Sequence, residues 1–281
     1  MTTLSAAHPN PTAGVDRDRT TLAAQLRFTL AAEWTKLRSV RSTVAALLAT
    51  AGVTVAFAVL LSLGELSRWD HLSPRQRASF HPATLSISGV LFAELVIGAL
   101  GVLSMSAEYS TGTIRATLTA TPQRLTAYLA KIAVFAVTAF AVAVTTTTTA
   151  FLSAQAILAR RQLGVGLLDG DAPRIVVGSA LFLVAVALLG LGLAATLRHT
   201  AAAISTLFAV MLVLPLLSNF LPSDWQANLD RWLPLNAGTA VMQQGPPETN
   251  QFGPWTGLAV LFGYALIALI AGGVLLRRRD A

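Results

Sequence analysis

The sequence predicts an all-α integral membrane protein that crosses the bilayer six times. Three observations lead to this fold class. Hydrophobic residues make up 54% of the 281 residues and charged residues only 12%, whereas a soluble domain carries about 25% charged residues. The mean hydropathy is +0.64. Six apolar runs each exceed the roughly 18–20 residues that a helix needs to cross about 30 Å of hydrocarbon, and they lack the alternation of a β-barrel.

The first 42 residues predict two segments ahead of the first span. Residues 1–20 are polar and rich in Thr, Pro and Asp, which indicates a disordered tail. Residues 21–42 predict an amphipathic helix, since several apolar side chains share an arc of about 120°: Leu22, Leu26, Leu30, Trp34, Leu37 and Val40. Glu33 falls inside this apolar arc. Nearby Arg and Lys residues favour a helix that lies in the membrane interface.

The six apolar runs define the predicted membrane-spanning helices. Helices are expected because an unpaired strand would leave its backbone groups unsatisfied in lipid. The predicted spans are residues 43–63, 84–106, 129–151, 175–197, 201–221 and 255–276. Pro215 should kink the fifth span, because it removes a backbone hydrogen bond. The stretch from 221 to 254 should contain short helical pieces at the membrane surface, with Trp225 and Trp232 among the headgroups.

Charge differs between the two sides of these spans. The side with both termini carries 13 Lys and Arg residues and five acidic residues, while the other side carries seven of each. The positive-inside rule therefore places both termini, including a short tail at 277–281, in the cytoplasm. The basic excess follows the membrane face and matches anionic lipid, so we expect a cytoplasmic-membrane location and no nucleic-acid partner.

The connection between spans two and three predicts a short cytoplasmic helix. Gly112 allows a tight turn, and Thr113 can cap a helix that continues through Ile114. Pro122 ends this helix, because the residue before a proline disfavours helical geometry.

Charged residues flank this short helix. Glu108 leaves the membrane before it, and Arg124 and Lys131 return the chain to the headgroups after it. Two spans joined by a simple loop would not need a short helix flanked by charged residues. The segment therefore indicates a docking surface for a cytoplasmic partner.

Residue patterns typical of enzymes are absent from the sequence. No glycine is followed by lysine, which excludes the phosphate-binding loop G-x-x-x-x-G-K-[S/T]. The H-E-x-x-H and G-x-S-x-G patterns are also missing, and the absence of Cys excludes disulfides and thiol catalysis. No catalytic, cofactor-binding or metal-ligating residue is predicted, and the chain is not expected to be an enzyme.

Three residues within the spans are candidates for a transport pathway. Glu94 lies about 15 Å inside the second span at 1.5 Å per residue, where a carboxyl group is costly unless it is protonated or paired. It either serves function or packs, hydrogen-bonded, on a neighbouring helix. Thr145 and Thr149 bound a run of five threonines. Their hydroxyls either line a polar path or bond to the carbonyl one turn back.

These motifs together resemble the permease subunits of the type 2 ABC-transporter family. That family's stretch has a Glu after span two, then Gly-Thr-Ile/Leu-Arg, Pro-x-Arg and a Lys opening span three. The matching residues are Glu108, Gly112, Thr113, Ile114, Arg115, Pro122, Arg124 and Lys131. EWTKLRSVRS, from Glu33 to Ser42, resembles the Glu-x-x-Lys-Leu-Arg element before span one. WLPLNAG, from Trp232 to Gly238, is similar to the segment before the last span.

The resemblance implies a mechanism and partners. Two permease subunits would pair, as a homodimer or heterodimer, and each would dock a separate cytoplasmic ATPase that holds ATP and Mg²⁺. The short helix between spans two and three would be the coupling helix, with the amino-terminal helix beside it. ATP binding would move both and open an export path. The implied coupling residues are Glu33, Lys36, Glu108, Gly112, Thr113, Ile114, Arg115, Pro122 and Arg124.

Two other functions stay open on the sequence. A secondary transporter driven by an ion gradient would favour paired charges or broken helices at mid-depth, and Glu94 and Pro215 are the residues that could supply them. A membrane scaffold that transports nothing would need neither the short cytoplasmic helix nor the amphipathic segment outside the membrane.

Overall fold

The fold follows from a computed structural model that describes residues 27–110, 124–246 and 250–278. Within these ranges the regular structure is helical, and no strand occurs. Six of the helices are long and apolar enough to cross a membrane. This confirms the predicted number of spans and the all-α class. Residues 1–20 of the predicted tail lie outside the described residues, as do 21–26, 111–123 and 279–281.

Twelve α-helices occur in the described ranges. In chain order they are α1 (27–39), α2 (Arg41–Arg68), α3 (Pro74–Ala78), α4 (Pro82–Ser86), α5 (Val90–Ser110), α6 (Arg124–Leu158), α7 (Ala172–Leu197), α8 (Thr200–Phe208), α9 (Leu214–Ser218), α10 (Ser223–Asp230), α11 (Pro234–Thr239) and α12 (Pro254–Arg278). The candidate spans are α2, α5, α6, α7, the joined α8 and α9, and α12. The short α10 and α11 occupy the stretch where helical pieces are expected.

Helix ends differ from the predicted span limits most clearly in the second and third spans. The second span begins at Val90 instead of residue 84, because Pro82 opens the separate short helix α4 and residues 87–89 form a turn. Glu94 therefore lies one turn into α5. Helix α6 has 35 residues and is about 52 Å long at 1.5 Å per residue. The helix continues beyond its apolar run at both ends, because the residues there include neither Gly nor Pro, which would end it.

The fifth span is irregular where a kink is predicted. A π-helical turn, Ala209–Val213, separates α8 from α9. Pro215 follows it at the start of α9. Its ring cannot sit in a regular helix without meeting the carbonyl of the preceding turn, and a wider π turn provides the necessary room.

Helix α7 forms the centre of the bundle. In the most apolar 18-residue stretch of α7, 89% of the residues are buried, against 17% in the corresponding stretch of α2. Helices α5, α6 and α12 surround it, while α2 packs outside on α5 and α6. Small residues allow the close approach: a Cβ on Gly101 would overlap the carbonyl oxygen of Ala187, and one on Gly192 would come 2.7 Å from the Leu269 nitrogen.

The polarity of α2 is opposite to that of a helix in a soluble protein. Its buried residues are Thr43, Thr50, Thr54, Ala58, Ser62 and Glu65, whereas Leu48 and Leu60 are 67% and 61% exposed. The Thr54 hydroxyl donates to the Thr50 carbonyl at 2.7 Å, which satisfies it without a partner helix. Such a helix packs through small and polar groups and presents its apolar face to lipid.

Candidate functional site

Four charged side chains from three helices meet at one end of the bundle. Glu33 and Lys36 lie one turn apart on the inward face of α1, Glu108 lies in the last turn of α5, and Lys131 lies in the second turn of α6. We call these four residues the four-charge cluster. The described helices end here on both sides of residues 111–123, so the cluster sits beside the predicted coupling segment.

Each ammonium group in the four-charge cluster contacts both carboxylates. The Lys36 Nζ lies 2.7 Å from Glu33 Oε1 and 2.9 Å from Glu108 Oε1. The Lys131 Nζ lies 2.6 Å from Glu33 Oε2 and 2.9 Å from Glu108 Oε1. The charges therefore alternate around a closed ring with no net charge, and the ring links α1, α5 and α6.

Three of the four side chains are shielded from solvent. The side chains of Glu33, Lys131 and Glu108 are 4%, 11% and 12% exposed, and that of Lys36 is 41% exposed. Burial alone would lower the pKa of Lys36, but hydrogen bonds and charge attraction from Glu33 and Glu108 outweigh it and raise the pKa. Buried charges are tolerated only when they are paired in this way.

The four-charge cluster is suited to a mechanical link and not to metal binding. Both of its carboxylates already accept from ammonium groups, and no group of three His, Asp or Glu side chains that could hold a metal ion occurs in the described ranges. Its cations are the only two lysines of the chain. An ammonium is a compact charge with three donors, so it can bridge two carboxylates where a planar guanidinium fits less well.

A second contact ties neighbouring helix ends together on the same side. Arg198, at the turn between α7 and α8, has its guanidinium carbon 5.4 Å from the centre of the Tyr109 ring. Its Nη2 donates to the carbonyl of Leu275 at 3.3 Å. Helices α5, α7 and α12 are thereby joined next to the four-charge cluster.

The structure brings together three of the predicted coupling residues, Glu33, Lys36 and Glu108. Lys131, which belongs to the same family stretch, joins them. Arg124 is the first residue of α6. The remaining coupling candidates lie outside the described residues: Gly112, Thr113, Ile114, Arg115 and Pro122.

Lys131 is the residue that sequence reasoning misplaced. We expected it among the lipid headgroups, but it is buried between Glu33 and Glu108. Two signals in the sequence point to this position: it lies just inside the apolar run predicted as the third span, and it is one of only two lysines in a chain whose other Lys and Arg residues are all arginine. The carboxylate of Glu33 explains the break in the apolar arc, because it faces α6 and not water.

The three pathway candidates have different environments. Glu94 is 1% exposed, and its Oε2 has no hydrogen-bond partner among the described residues. Thr145 and Thr149 face outward, and their hydroxyls donate to the carbonyls of Ala141 at 2.9 Å and Thr145 at 2.7 Å. The two threonines are thus satisfied by their own helix, while Glu94 is not.

Comparison of the sequence with protein-family models and with curated proteins finds no match.

Proposed function

We propose that this chain is the permease subunit of an ABC exporter, which forms the substrate path and couples to a separate ATPase. The four-charge cluster is the observation that carries the proposal. It fastens α1 to α5 and α6, the two helices that flank residues 111–123. A partner that pushes on this segment would therefore move three helices together.

Agreement between motif and geometry supports the proposal. The positions on which the family resemblance rests before span one, after span two and within span three include Glu33, Glu108 and Lys131. These positions are separated by 75 and 23 residues in the chain. The Lys131 Nζ nevertheless lies 2.6 Å from a carboxylate oxygen of Glu33 and 2.9 Å from one of Glu108. Residues that form one ionic ring are suited to one task, and coupling is the task the resemblance implies.

The remaining parts of the proposal follow the charge distribution and the resemblance. The basic side of the bundle, with both termini, faces the cytoplasm, which puts the chain ends that flank residues 111–123 on the side of a cytoplasmic ATPase that binds ATP and Mg²⁺. A second permease subunit, identical or related, completes the substrate path. The membrane is the cytoplasmic membrane, and the direction is export.

Copurification tests the proposal directly. The tagged chain is extracted from its native membrane in mild detergent, and the proteins that accompany it are identified by mass spectrometry. We expect an ABC ATPase in stoichiometric amount. Extraction under conditions that preserve other membrane complexes, yet without any ATPase, would contradict the proposal.

Glu94 favours a second candidate, a transporter driven by an ion gradient. A buried carboxyl group with an unpartnered oxygen is the kind of group that such transporters protonate and deprotonate. Transport in vesicles energised either by ATP or by a proton gradient separates the two functions. If only the gradient drives transport, and Glu94→Gln abolishes it, the second candidate replaces the first.

A further inference from the structure

A groove on the outer surface of the bundle runs between the first turns of α6 and the last turns of α12. Its volume is about 380 Å³. Apart from Tyr128 and Arg277, every residue that lines it is apolar. It lies at the same end of α6 as the four-charge cluster, and its lining on α6 runs from Leu125 to Ile132, next to Lys131 in the chain.

The floor of the groove is fixed by Tyr128. This side chain is buried, and its hydroxyl donates to the Leu269 carbonyl of α12 at 3.1 Å. Gly273 permits the approach, because a Cβ there would come 3.3 Å from the Tyr128 ring. The recess therefore results from a specific contact between the two helices, and it is not a gap between loosely placed side chains.

The walls of the groove are exposed on the surface of the bundle. Leu129 of α6 and Leu266 and Ile270 of α12 are 54%, 57% and 56% exposed. Along α12 the groove extends from Leu266 to Arg277, which is about 16 Å at 1.5 Å per residue. That length matches half of the roughly 30 Å hydrocarbon core, so the groove covers one leaflet.

Arg277 lies at the end of the groove in the last turn of α12, where a membrane-spanning helix reaches the depth of the lipid phosphates. It is exposed and lines the groove, and Arg278 follows it. A guanidinium binds phosphate oxygens through two parallel hydrogen bonds. Among the described residues, the lining of this recess of one leaflet's depth has one cation, at its mouth. The recess is complementary to an anionic lipid: the acyl chain matches the apolar lining and the phosphate matches the cation.

We propose that this groove is a binding site for one anionic phospholipid of the leaflet next to the four-charge cluster. One acyl chain lies along Leu129, Leu266 and Ile270, and the phosphate is held by Arg277. The site is independent of the proposed transport function, since it depends only on the surface of α6 and α12.

Retention of lipid by the purified protein tests the site. The protein is reconstituted in vesicles of phosphatidylcholine with a minor fraction of phosphatidylglycerol, extracted, and examined by native mass spectrometry. One retained phosphatidylglycerol is expected. Arg277→Gln should reduce this retention about fivefold, as expected for one cation at a lipid surface. The matched control is Arg278→Gln, which removes the same charge from an adjacent exposed residue outside the groove and should retain the lipid.

Filling the groove gives a second test that leaves the charge unchanged. Val274→Trp places an aromatic ring in the lining, whereas Ile267→Trp adds the same ring at an exposed residue of α12 outside it. Only the first should release phosphatidylglycerol. Three results would each overturn the proposal. The first is an equal loss of phosphatidylglycerol in Arg277→Gln and Arg278→Gln. The second is undiminished lipid retention in both Arg277→Gln and Val274→Trp, and the third is a second copy of the chain bound in the groove.

Discussion

Glu33 and Lys131 are 98 positions apart in the chain, and the Lys131 Nζ lies 2.6 Å from the Glu33 Oε2. Both side chains are nearly excluded from solvent. This contact fixes α1 against α6. Substitutions in the four-charge cluster therefore test whether its ion pairs hold these helices together.

Removing the Lys131 charge should destabilise the protein strongly. Lys131→Met leaves the carboxylates of Glu33 and Glu108 buried with only Lys36 between them, and breaking a buried ion pair costs about 3–5 kcal/mol. The measurement is the temperature at which the detergent-solubilised protein loses its monodisperse peak in size-exclusion chromatography.

An exposed ion pair provides the control for this prediction. Arg161 and Asp70 also lie 2.6 Å apart, but their side chains are 40% and 66% exposed, so Arg161→Met should cost at most about 1 kcal/mol. The exchange Glu33→Lys with Lys131→Glu should recover part of the stability lost in either single variant. Equal effects of Lys131→Met and Arg161→Met would show that burial does not matter here.

Charge reversal at Arg115 should uncouple the chain from the proposed ATPase partner. The residue lies outside the described ranges, and the expectation rests on its place in the proposed coupling segment. Arg115→Glu should leave membrane insertion intact and reduce copurification of the ATPase about tenfold, the effect of losing one charge-assisted hydrogen bond and placing a like charge at an interface.

Arg160→Glu makes the same charge change on the opposite side of the bundle, at an exposed residue. It should copurify the ATPase normally. If Arg115→Glu copurifies and transports as well as the unchanged protein, residues 111–123 do not form the docking surface.

Contact between α5 and α7 should depend on the absence of a side chain at Gly101. A Cβ there would overlap the carbonyl oxygen of Ala187, so Gly101→Ala should destabilise the protein by about 1–3 kcal/mol through overpacking. Gly263→Ala is the control, since a Cβ at that helical position meets nothing within 4 Å. A lower melting temperature is expected for the first variant only, and unchanged melting of both would contradict the close packing.

The segment after α11 should loosen in acid. Asp171 accepts a hydrogen bond from the Gly245 amide at 2.9 Å and pairs with Arg174 at 3.0 Å. These contacts hold the pKa of Asp171 below its ordinary value of 3.8. Their stabilisation is therefore fully present above that value and is lost as the pH falls through the lower pKa of the folded protein.

Hydrogen exchange at Gly245 measures this effect. The protection of its amide, relative to the intrinsic exchange rate at each pH, should fall in acid and be lost at neutral pH in Asp171→Ala, which has no side-chain acceptor. Asp169→Ala is the matched control, because Asp169 accepts from a different amide, that of Gly166, at 2.8 Å. Full protection of Gly245 in Asp171→Ala would refute the assignment.

The number of spans could be predicted from the sequence because apolar length is a local property. Span limits were less accurate: the end of apolarity does not end a helix, as α6 shows by continuing through Gln155 to Leu158. The four-charge cluster was predictable only in part. Glu33, Lys36, Glu108 and Lys131 all lie in motifs, but the burial of Lys131 between two carboxylates depends on how α1 and α5 pack against α6, which no local pattern contains.

The length of α6 has a mechanical consequence. Its 35 residues include no Gly and no Pro, so the helix has no hinge within it. Near one end it carries Lys131, and near the other the Gln155 side chain donates to Ser86 at 2.9 Å and accepts from the Val165 amide at 2.7 Å. The helix is therefore long enough to cross the whole membrane as one rigid rod. A tilt imposed where residues 111–123 join it would displace Gln155 and the loop it contacts at the far end, without any intervening element.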